Sequence, residues 1–159
     1  MKRIAVYAGS FDPITSGHMD LVRRATSLFD EVILAVGNNP AKRYLLSTDE
    51  RVEVMKACTE TLSNVSVDVF SGLLIDYCRA RNAGFILRGL RAVTDFEFEF
   101  QIGLANMDMS PDIETVFLLT EPKNIFVSSS LVKEIAVNGG NVSKYLPEAA
   151  HQALMKAIR

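Results

Sequence analysis

Short runs of β-branched and other apolar residues alternate along the chain with longer stretches in which apolar residues recur every three or four positions. The short runs predict five strands: Ile4–Ala8, Val32–Val36, Val65–Phe70, Phe85–Leu87 and Thr115–Leu119. Strands that alternate with helices form βαβ units, which build a parallel sheet covered on both faces. The pattern therefore predicts an α/β fold with a doubly wound five-stranded parallel sheet. No repeat, low-complexity tract or linker divides residues 1–159, which favours a single domain.

The longer stretches predict helices between the strands, with recognisable start and stop signals. The first predicted helix starts near Gly17 and ends before Asp30, the second follows a capping box at Ser47–Glu50 and runs toward Leu62, and a short third helix covers Leu73–Cys78. Serines 128–130 precede a further helix that Gly139-Gly140 closes, and Pro147 precedes a last helix through Ile158. The segment Phe96–Phe100 alternates like a strand, but a capping box at Thr94 and Glu97 favours a helix. In that helix Val93, Phe96, Phe100, Leu104 and Met107 would share one face.

Composition narrows the class of protein. The chain carries 17 basic and 19 acidic residues for a formal net charge of −2, and it has no basic tail. The electrostatic footprint of a nucleic-acid-binding protein is therefore missing. The mean hydropathy of +0.16 is high for so small a domain and hints at apolar surface left for subunit contacts.

Nothing in the sequence indicates export or membrane insertion. Cys58 and Cys78 stand in apolar helical contexts without metal-ligand spacing, which favours free thiols in a reducing compartment. The apolar run Ile4–Ala8 is too short for a signal peptide, and no window reaches the length of a membrane helix. We expect a soluble, cytoplasmic protein.

The loop after the first predicted strand, Gly9-Ser10-Phe11-Asp12-Pro13-Ile14-Thr15-Ser16-Gly17-His18, concentrates polar chemistry. In open α/β sheets, ligands bind beyond the carboxyl ends of the strands, where loops lead into helix N-termini. Gly17 would let a ligand approach the backbone, the helix N-terminus would favour an anion, and His18 would add a donor. Gly-His alone is more often an ordinary surface turn, but the longer string favours a phosphate site. It is neither a Walker loop nor a Gly-x-Gly-x-x-Gly loop.

Three further segments follow later strands: Arg88-Gly89-Leu90-Arg91, then Asp95-Phe96-Glu97 with Glu99, then Val127-Ser128-Ser129-Ser130-Leu131-Val132-Lys133. Together with the first loop, they resemble the motifs of the bacterial phosphopantetheine adenylyltransferases, members of the nucleotidylyltransferase superfamily with a Thr/His-x-Gly-His motif. The resemblance runs from Met1 to about Leu154. Ser10 stands where many members carry Thr, and Lys133 stands where wider relatives often place Arg.

This resemblance implies a Rossmann-like nucleotidylyltransferase fold and a step of coenzyme A synthesis. AMP would pass from ATP to 4′-phosphopantetheine by direct in-line attack on the α-phosphate, giving dephospho-CoA and pyrophosphate. A phosphate monoester is already nucleophilic near neutral pH, so no dedicated general base is needed, and the sequence shows no plausible Ser-His-Asp or Cys-His set. The resemblance further implies Mg²⁺ on the triphosphate without dedicated protein ligands, a homohexamer, and feedback binding of CoA in the same pocket.

The resemblance also assigns residues to roles. Those acting on the reacting phosphates would be His18, Ser10, Lys42 and Arg91. Those contacting ATP would be Ser10, Phe11, His18, Gly89, Leu90, Arg91, Glu99, Asn124, Ile125, Phe126, Val127, Ser128, Ser129 and Ser130. Those contacting phosphopantetheine would be Ser10, Lys42, Leu74 and Arg88.

Each assignment has an ordinary structural alternative. From the pattern alone, Leu74 is a core leucine, Lys42 a solvated lysine, and the serine triplet a helix cap. Arg88 and Arg91 would be a surface pair. Two other functions also stay open: a nucleotidylyltransferase for another acceptor, such as nicotinamide mononucleotide or glycerol phosphate, and a non-catalytic nucleotide-binding domain on the same fold.

Overall fold

The computed structural model describes residues 1–159 and contains one sheet of five parallel strands. The strands are β1 (Ile4–Gly9), β2 (Glu31–Gly37), β3 (Val65–Phe70), β4 (Phe85–Leu90) and β5 (Glu114–Leu119). Their order across the sheet is β3-β2-β1-β4-β5, and every neighbouring pair is parallel. The predicted doubly wound α/β fold is confirmed, and the order of the strands reverses between β1 and β4, where such sheets open a crevice.

Six α-helices join and cover the strands. They are α1 (Ser16–Leu28), α2 (Thr48–Thr59), α3 (Leu74–Ala80), α4 (Val93–Met109), α5 (Ser129–Val137) and α6 (Glu148–Ala157). The capping box predicted for α2 is present, because Ser47 accepts from the backbone of Glu50 while Glu50 accepts from the backbone of Ser47. None of these helices is both long and apolar enough to span a membrane.

The core has two layers because successive side chains of a buried strand point to opposite faces. On β1, Ala5 and Tyr7 belong to the larger cluster of 22 buried residues, whereas Val6 and Ala8 belong to a cluster of nine. The first cluster takes side chains from α1, α2, α5 and α6, and the second takes side chains from α3.

Strand β4 is longer than predicted. It continues through Leu90, since its parallel pairing with β5 extends from Phe85 opposite Glu114 to Leu90 opposite Leu119. Arg88, Gly89 and Leu90 therefore lie within the strand rather than after it, a correction to the sequence reading. Packing also favours glycine at position 89, because a Cβ there would clash with the side chain of Leu21 on α1.

Helix α4 exists as predicted, but its start and its surroundings differ. It begins at Val93, and Ala92 precedes it without any side-chain cap, so the proposed capping box at Thr94 and Glu97 is wrong. Asp95 instead accepts from the backbone N–H of Arg91 at 3.3 Å, which stabilises an earlier start. The apolar face predicted for this helix is exposed, with Val93, Phe96, Phe100, Leu104 and Met107 all open to solvent in the single chain.

Candidate active site

A cavity of about 610 Å³ opens at the carboxyl edge of the sheet. Segments that end or follow all five strands contribute to its wall, as the topology of an open α/β sheet requires. The predicted site residues that line it are Ser10, Phe11, His18, Lys42, Leu74, Arg88, Gly89, Arg91, Glu99, Asn124, Val127, Ser128, Ser129 and Ser130. Residues as far apart in the chain as Tyr7 and Ser130 thus meet in one concave site.

His18 is locked by the residue that caps its own helix. Thr15, at the N-cap of α1, donates its backbone N–H to Nδ1 of His18 at 3.0 Å and accepts from the His18 backbone N–H at 3.3 Å. Because Nδ1 accepts a hydrogen bond from an N–H, the neutral ring carries its proton on Nε2. The rings of Phe11 and Tyr7 pack edge-on against the imidazole, with centroids 5.1 and 6.1 Å from it. His18 therefore presents a single oriented N–H donor.

The surroundings of His18 also hold it uncharged. Burial, followed by the positive charges of Arg91 and Arg88, lowers its pKa from 6.5 to about 4. At neutral pH the ring is a neutral donor and not a cation. Such a donor stabilises negative charge that develops on a phosphoryl oxygen without having to exchange a proton with it.

Arg88 and Glu99 form a bidentate ion pair inside the cavity. Nε and Nη2 of Arg88 donate to the two carboxylate oxygens of Glu99 at 2.6 and 2.5 Å, while Nη1 donates to the carbonyl of Ala8 at 3.1 Å. Burial acts to lower the pKa of Arg88, but hydrogen bonding and charge from Glu99 outweigh it and raise that pKa. The guanidinium is thereby held at the strand end with a fixed orientation.

Arg91, just before the start of α4, is held by hydrogen bonds to Asp95 and to the segment before α5. Its Nε donates to Asp95 at 3.1 Å and its Nη1 donates to the carbonyl of Val127 at 3.3 Å. The second contact links the β4–α4 connection to the segment before α5. Arg91 thus joins two motifs that lie 36 residues apart in the chain.

The N-terminus of α5 presents backbone amides at the cavity wall. Ser128 caps the helix by accepting from the backbone N–H of Leu131 at 3.1 Å, and Ser129 donates its hydroxyl to the carbonyl of Pro13 at 2.8 Å. The first amides of a helix have no intrahelical acceptor, so those of Ser129 and Ser130 remain available to an anion. The interpretation of the triplet as a helix cap is thus correct for Ser128, and it is compatible with phosphate binding.

The first loop is tied to two other parts of the chain through Asp12, which is buried. Its carboxylate accepts the backbone N–H groups of Leu45 and Leu46 at 2.9 and 2.8 Å, and it pairs with Lys133 at 2.7 Å. Lys133 is therefore the ion-pair partner of Asp12 in this structure. The sequence did not indicate this link, because the three segments are far apart in the chain.

Three predicted residues do not line the cavity: Leu90, Ile125 and Phe126. Ile125 and Phe126 are half exposed, and the ring of Phe126 packs edge-on against Tyr145 at 5.4 Å. Their assignment to ATP rested on the resemblance alone and stays a prediction.

Several lining residues were not predicted as site residues. They include Asn38, Asn39 and Tyr44 after β2, Phe70, Ser71 and Gly72 at the end of β3, Asp95 at the start of α4, and Thr120 after β5. The strand-end rule that singled out the first loop would have indicated most of them, since it applies to every parallel strand. Their residue types carry no motif of their own.

Comparison with known proteins places the chain in a family. A family model described as cytidylyltransferase-like matches residues 6–135. The phosphopantetheine adenylyltransferase of Caldanaerobacter subterraneus subsp. tengcongensis is 50% identical over 157 residues, covering 99% of this chain and 98% of that protein. The protein of the same name from Heliobacterium modesticaldum is 56% identical over 146 residues, covering 92% and 87%.

A solved structure from Vibrio parahaemolyticus, assigned as a nicotinate-nucleotide adenylyltransferase, superposes with a TM-score of 0.75 over 99% of this chain and 95% of its own. At 20% identity it supports the fold alone. The full-length identity to the named relatives is more specific, and it agrees with the motifs gathered around the cavity. The chain belongs to the phosphopantetheine adenylyltransferase family of nucleotidyltransferases.

Proposed function

We propose that this chain transfers the adenylyl group of ATP to the phosphate of 4′-phosphopantetheine in the cavity at the sheet edge, forming dephospho-CoA and pyrophosphate. One observation carries the proposal at the level of residues. The neutral donor His18 lines the same cavity as Lys42, Arg88, Arg91 and the open N-terminus of α5. This set of donors and cations supports a site for several phosphates, and the reaction needs no nucleophilic side chain activated by a base.

In this reaction an oxygen of the acceptor phosphate forms a bond to the α-phosphorus while the bond from that phosphorus to the bridging oxygen of the β-phosphate breaks. Pyrophosphate leaves with the electron pair. The acceptor is largely ionised at pH 7, so no side chain has to remove a proton from it. The task of the protein is to align the reactants and stabilise the charge that spreads over the α-phosphoryl oxygens.

The structure supports a division of these tasks. The Nε2–H of His18 is the donor for the α-phosphoryl group, because it is the one free polar atom of an otherwise packed ring. Ser10 and Lys42 contribute a hydroxyl and an ammonium group from the loops after β1 and β2. Arg88 would bind the acceptor phosphate beside Leu74, and Arg91 with the α5 amides would bind the triphosphate. Glu99 holds Arg88, which adds a positioning task to its expected contact with ATP.

We propose that magnesium enters this site as a partner of the triphosphate. The carboxylates in the cavity wall, Asp95 and Glu99, are each paired with an arginine, and no group of three ligating side chains is close enough to hold a metal. Mg²⁺ commonly keeps several waters and takes substrate phosphates as ligands. When bound there it would neutralise charge on the leaving pyrophosphate. Ser128 and Ser130 line the same cavity and would offer neutral hydroxyl oxygens to the waters of the ion.

Pyrophosphate release tests the proposal. ATP with Mg²⁺ is supplied with 4′-phosphopantetheine, nicotinamide mononucleotide, glycerol 3-phosphate or no acceptor, and the product is identified by mass. We expect release only with phosphopantetheine, together with dephospho-CoA. Release with another acceptor and none with phosphopantetheine would overturn the assignment. ATP binding without any turnover would instead favour a non-catalytic domain.

We further propose a homohexamer, which the family resemblance implies. Helix α4 supports self-association because it exposes eight large apolar side chains: Val93, Phe96, Phe98, Phe100, Ile102, Leu104, Met107 and Met109. Its buried residues are only Gly103 and Asn106. So many large apolar side chains on one exposed helix are unusual for a monomer, and the surface that covers them here would be other copies of the chain.

CoA is proposed as a second ligand of the same cavity. It shares the phosphopantetheine arm, so the segments around Leu74 and Arg88 would accept it in place of the substrate. Inhibition that is competitive with phosphopantetheine would support this, whereas inhibition independent of phosphopantetheine concentration would contradict it. A cytoplasmic location, consistent with the free thiols Cys58 and Cys78, and the expected lack of nucleic-acid and membrane partners stay predictions.

A further inference from the structure

Arg51 on α2 is a cation buried without any acidic partner. The residue is 1% exposed, and none of the ion pairs in the structure includes it. An isolated charge is costly to bury, so the side chain has to be compensated by hydrogen bonds from neutral groups. Arginine keeps its charge in proteins, which makes this arrangement a permanent one.

The guanidinium makes five hydrogen bonds, as many as it has N–H groups. Nε donates to the carbonyl of Ser47 at 3.4 Å, and Nη1 donates to the carbonyls of Ser10 at 2.8 Å and Gly37 at 3.4 Å. Nη2 donates to Oδ1 of Asn38 at 2.5 Å and to Oγ1 of Thr48 at 3.3 Å. Its Cζ also lies 4.1 Å from the centroid of the Tyr44 ring.

These contacts lie directly behind the cavity. Ser10, Gly37, Asn38 and Tyr44 line it, whereas Arg51 itself does not. The contacts join the end of β1, the end of β2 and the start of α2. The backbone pairing of β1 with β2 ends at Gly9 and Val36, next to Ser10 and Gly37, and it does not include α2. Arg51 therefore acts on the site only through other residues.

The contacts of Arg51 hold the connection 38–47, which carries Lys42. Its first part is exposed over residues 38–43, and Lys42 makes only a backbone hydrogen bond, to the carbonyl of Asn39 at 2.9 Å. Arg51 holds this connection at Asn38 and Tyr44, and Asp12 holds its far end at Leu45 and Leu46. Lys42 thus stands on a short loop fixed at both ends.

We propose that Arg51 is a positioning residue of the reaction: its planar fork fixes the Lys42 loop against Ser10, so that the ammonium group and the hydroxyl face the reacting phosphates together. This inference rests on the proposed function and on the role of Lys42 within it. A misplacement of about 1 Å in a group that acts on a transition state can reduce a rate by about a hundredfold. The geometry requires arginine because a lysine has three donors at a single point and cannot bridge the same acceptors.

The main experiment replaces Arg51 while keeping its charge. Arg51→Lys should lower kcat for pyrophosphate release by about tenfold or more. The KM for ATP should change by less than about threefold, because Arg91 and the α5 amides are untouched. Arg43→Lys is the matched control, since it makes the same change at an exposed position of the same loop. Its kcat should equal that of the wild type. Wild-type kcat in Arg51→Lys would overturn the proposal.

A double-mutant cycle separates positioning from general damage. If Arg51 acts through Lys42, then in a Lys42→Ala background the change Arg51→Lys should reduce kcat by less than about twofold. Multiplicative losses in the double variant would mean that Arg51 does not act through Lys42, which contradicts the proposal. The same cycle shows whether Lys42 matters at all.

Two measurements cover the case in which Arg51→Lys folds poorly. Thr48→Val removes one acceptor of the guanidinium together with the hydrogen bonds between Thr48 and Asn38, at a position that does not line the site cavity. It should lower kcat by about two- to fivefold with the same dependence on Lys42. Trypsin cleavage after Lys42 and Arg43 should be faster in Arg51→Lys and in Thr48→Val than in the wild type, independently of catalysis. Unchanged cleavage and unchanged kcat in Thr48→Val would refute the proposal.

Failure of the function itself gives a different result. If the wild type releases no pyrophosphate with phosphopantetheine, the proposed reaction is wrong whatever Arg51 does. Faster tryptic cleavage in the variants would then still support the structural half of the inference. If Arg51→Lys is cleaved no faster than the wild type and keeps its kcat, the role proposed for Arg51 is wrong, whereas the proposed reaction is unaffected.

Discussion

At the scale of single residues, a neighbouring side chain or backbone group orients each of the main polar groups in the cavity. His18 is turned by Thr15, Arg88 by Glu99, and Arg91 by Asp95. Groups held in this way lose little orientational freedom when a substrate binds, which is the main source of catalysis in a reaction that needs no covalent step from the protein. Two predictions about His18 follow from this geometry.

His18→Ala should lower kcat by about two to three powers of ten, the scale for one preorganised donor to a transition state. ATP binding should be largely retained, because the triphosphate keeps Arg91 and the α5 amides. Turnover is measured by pyrophosphate release and binding by calorimetry. His151→Ala, on α6 and away from the cavity, is the control. A normal rate would remove His18 from the mechanism.

The charge state of His18 sets the second prediction. Its pKa of about 4 in the folded chain lies below the ordinary 6.5, so between these values the unfolded chain binds more protons. The free energy of unfolding should therefore fall as the pH drops from 6.5 toward 4, and His18→Gln should make this decline shallower. Long-range ¹H–¹⁵N spectra should show a neutral ring protonated on Nε2 at pH 6. A titration midpoint of the His18 ring near 6.5 would contradict this prediction.

At the scale of secondary-structure elements, the N-terminal ends of helices position the polar groups of the cavity. The N-termini of α1, α4 and α5 all abut the cavity, through Thr15 with His18, through Asp95 and through Ser128–Ser130. Parallel strands point their carboxyl ends toward the same edge, so each following helix begins there. The side-chain caps of α1 and α5, Thr15 and Ser128, therefore belong to the site. Among the helices with a side-chain N-cap, α2 alone has a cap residue, Ser47, that does not line this cavity.

Ser47→Ala removes the side-chain acceptor of the α2 capping box and should lower the free energy of unfolding by about 1 kcal/mol. Urea denaturation measures this value. Ser63→Ala, at an exposed position outside the helices, should change it by less than about 0.5 kcal/mol. Equal effects of the two substitutions would show that the capping box contributes no stability.

At the scale of the whole molecule, the exposed apolar surface is the feature that a single chain leaves unexplained. Ordinary monomers expose scattered apolar residues, whereas α4 concentrates eight on one helix. The same helix supplies Asp95 and Glu99 to the cavity, so its packing in an assembly would also steady Arg88 and Arg91. Assembly and activity should be linked for this reason.

Phe100→Lys should dissociate the assembly, because an ammonium group in an apolar interface loses its hydration without a partner. Sedimentation velocity at several concentrations measures the change. Ala57→Lys, at an exposed position of α2, is the matched control and should sediment like the wild type. A wild-type chain that sediments as a monomer, or a Phe100→Lys variant that remains fully assembled, would contradict the role given to α4.

The sequence predicted the sheet and the motifs because both are local signals. Five apolar runs were enough to predict the strands, and the string around Ser10 and His18 was enough to indicate a loop that lines the cavity. The end of β4 was missed because Arg88 is polar, while the pairing that keeps it in the strand comes from β5. The start of α4 was missed because Asp95 bonds to Arg91 and makes the Thr94 capping box unnecessary.

By itself, the sequence determined the fold class, the family and the loops that carry the chemistry, since periodicity, caps and motif spacing depend on neighbours along the chain. Only the tertiary structure decided which of those residues share a wall, that His18 is a neutral donor, that Glu99 holds Arg88, and that the buried Arg51 holds the Lys42 loop. These properties arise from distances, burial and charge between segments far apart in the chain. A linear pattern does not contain them, because the same residue types at the same spacing can be solvated, paired or buried.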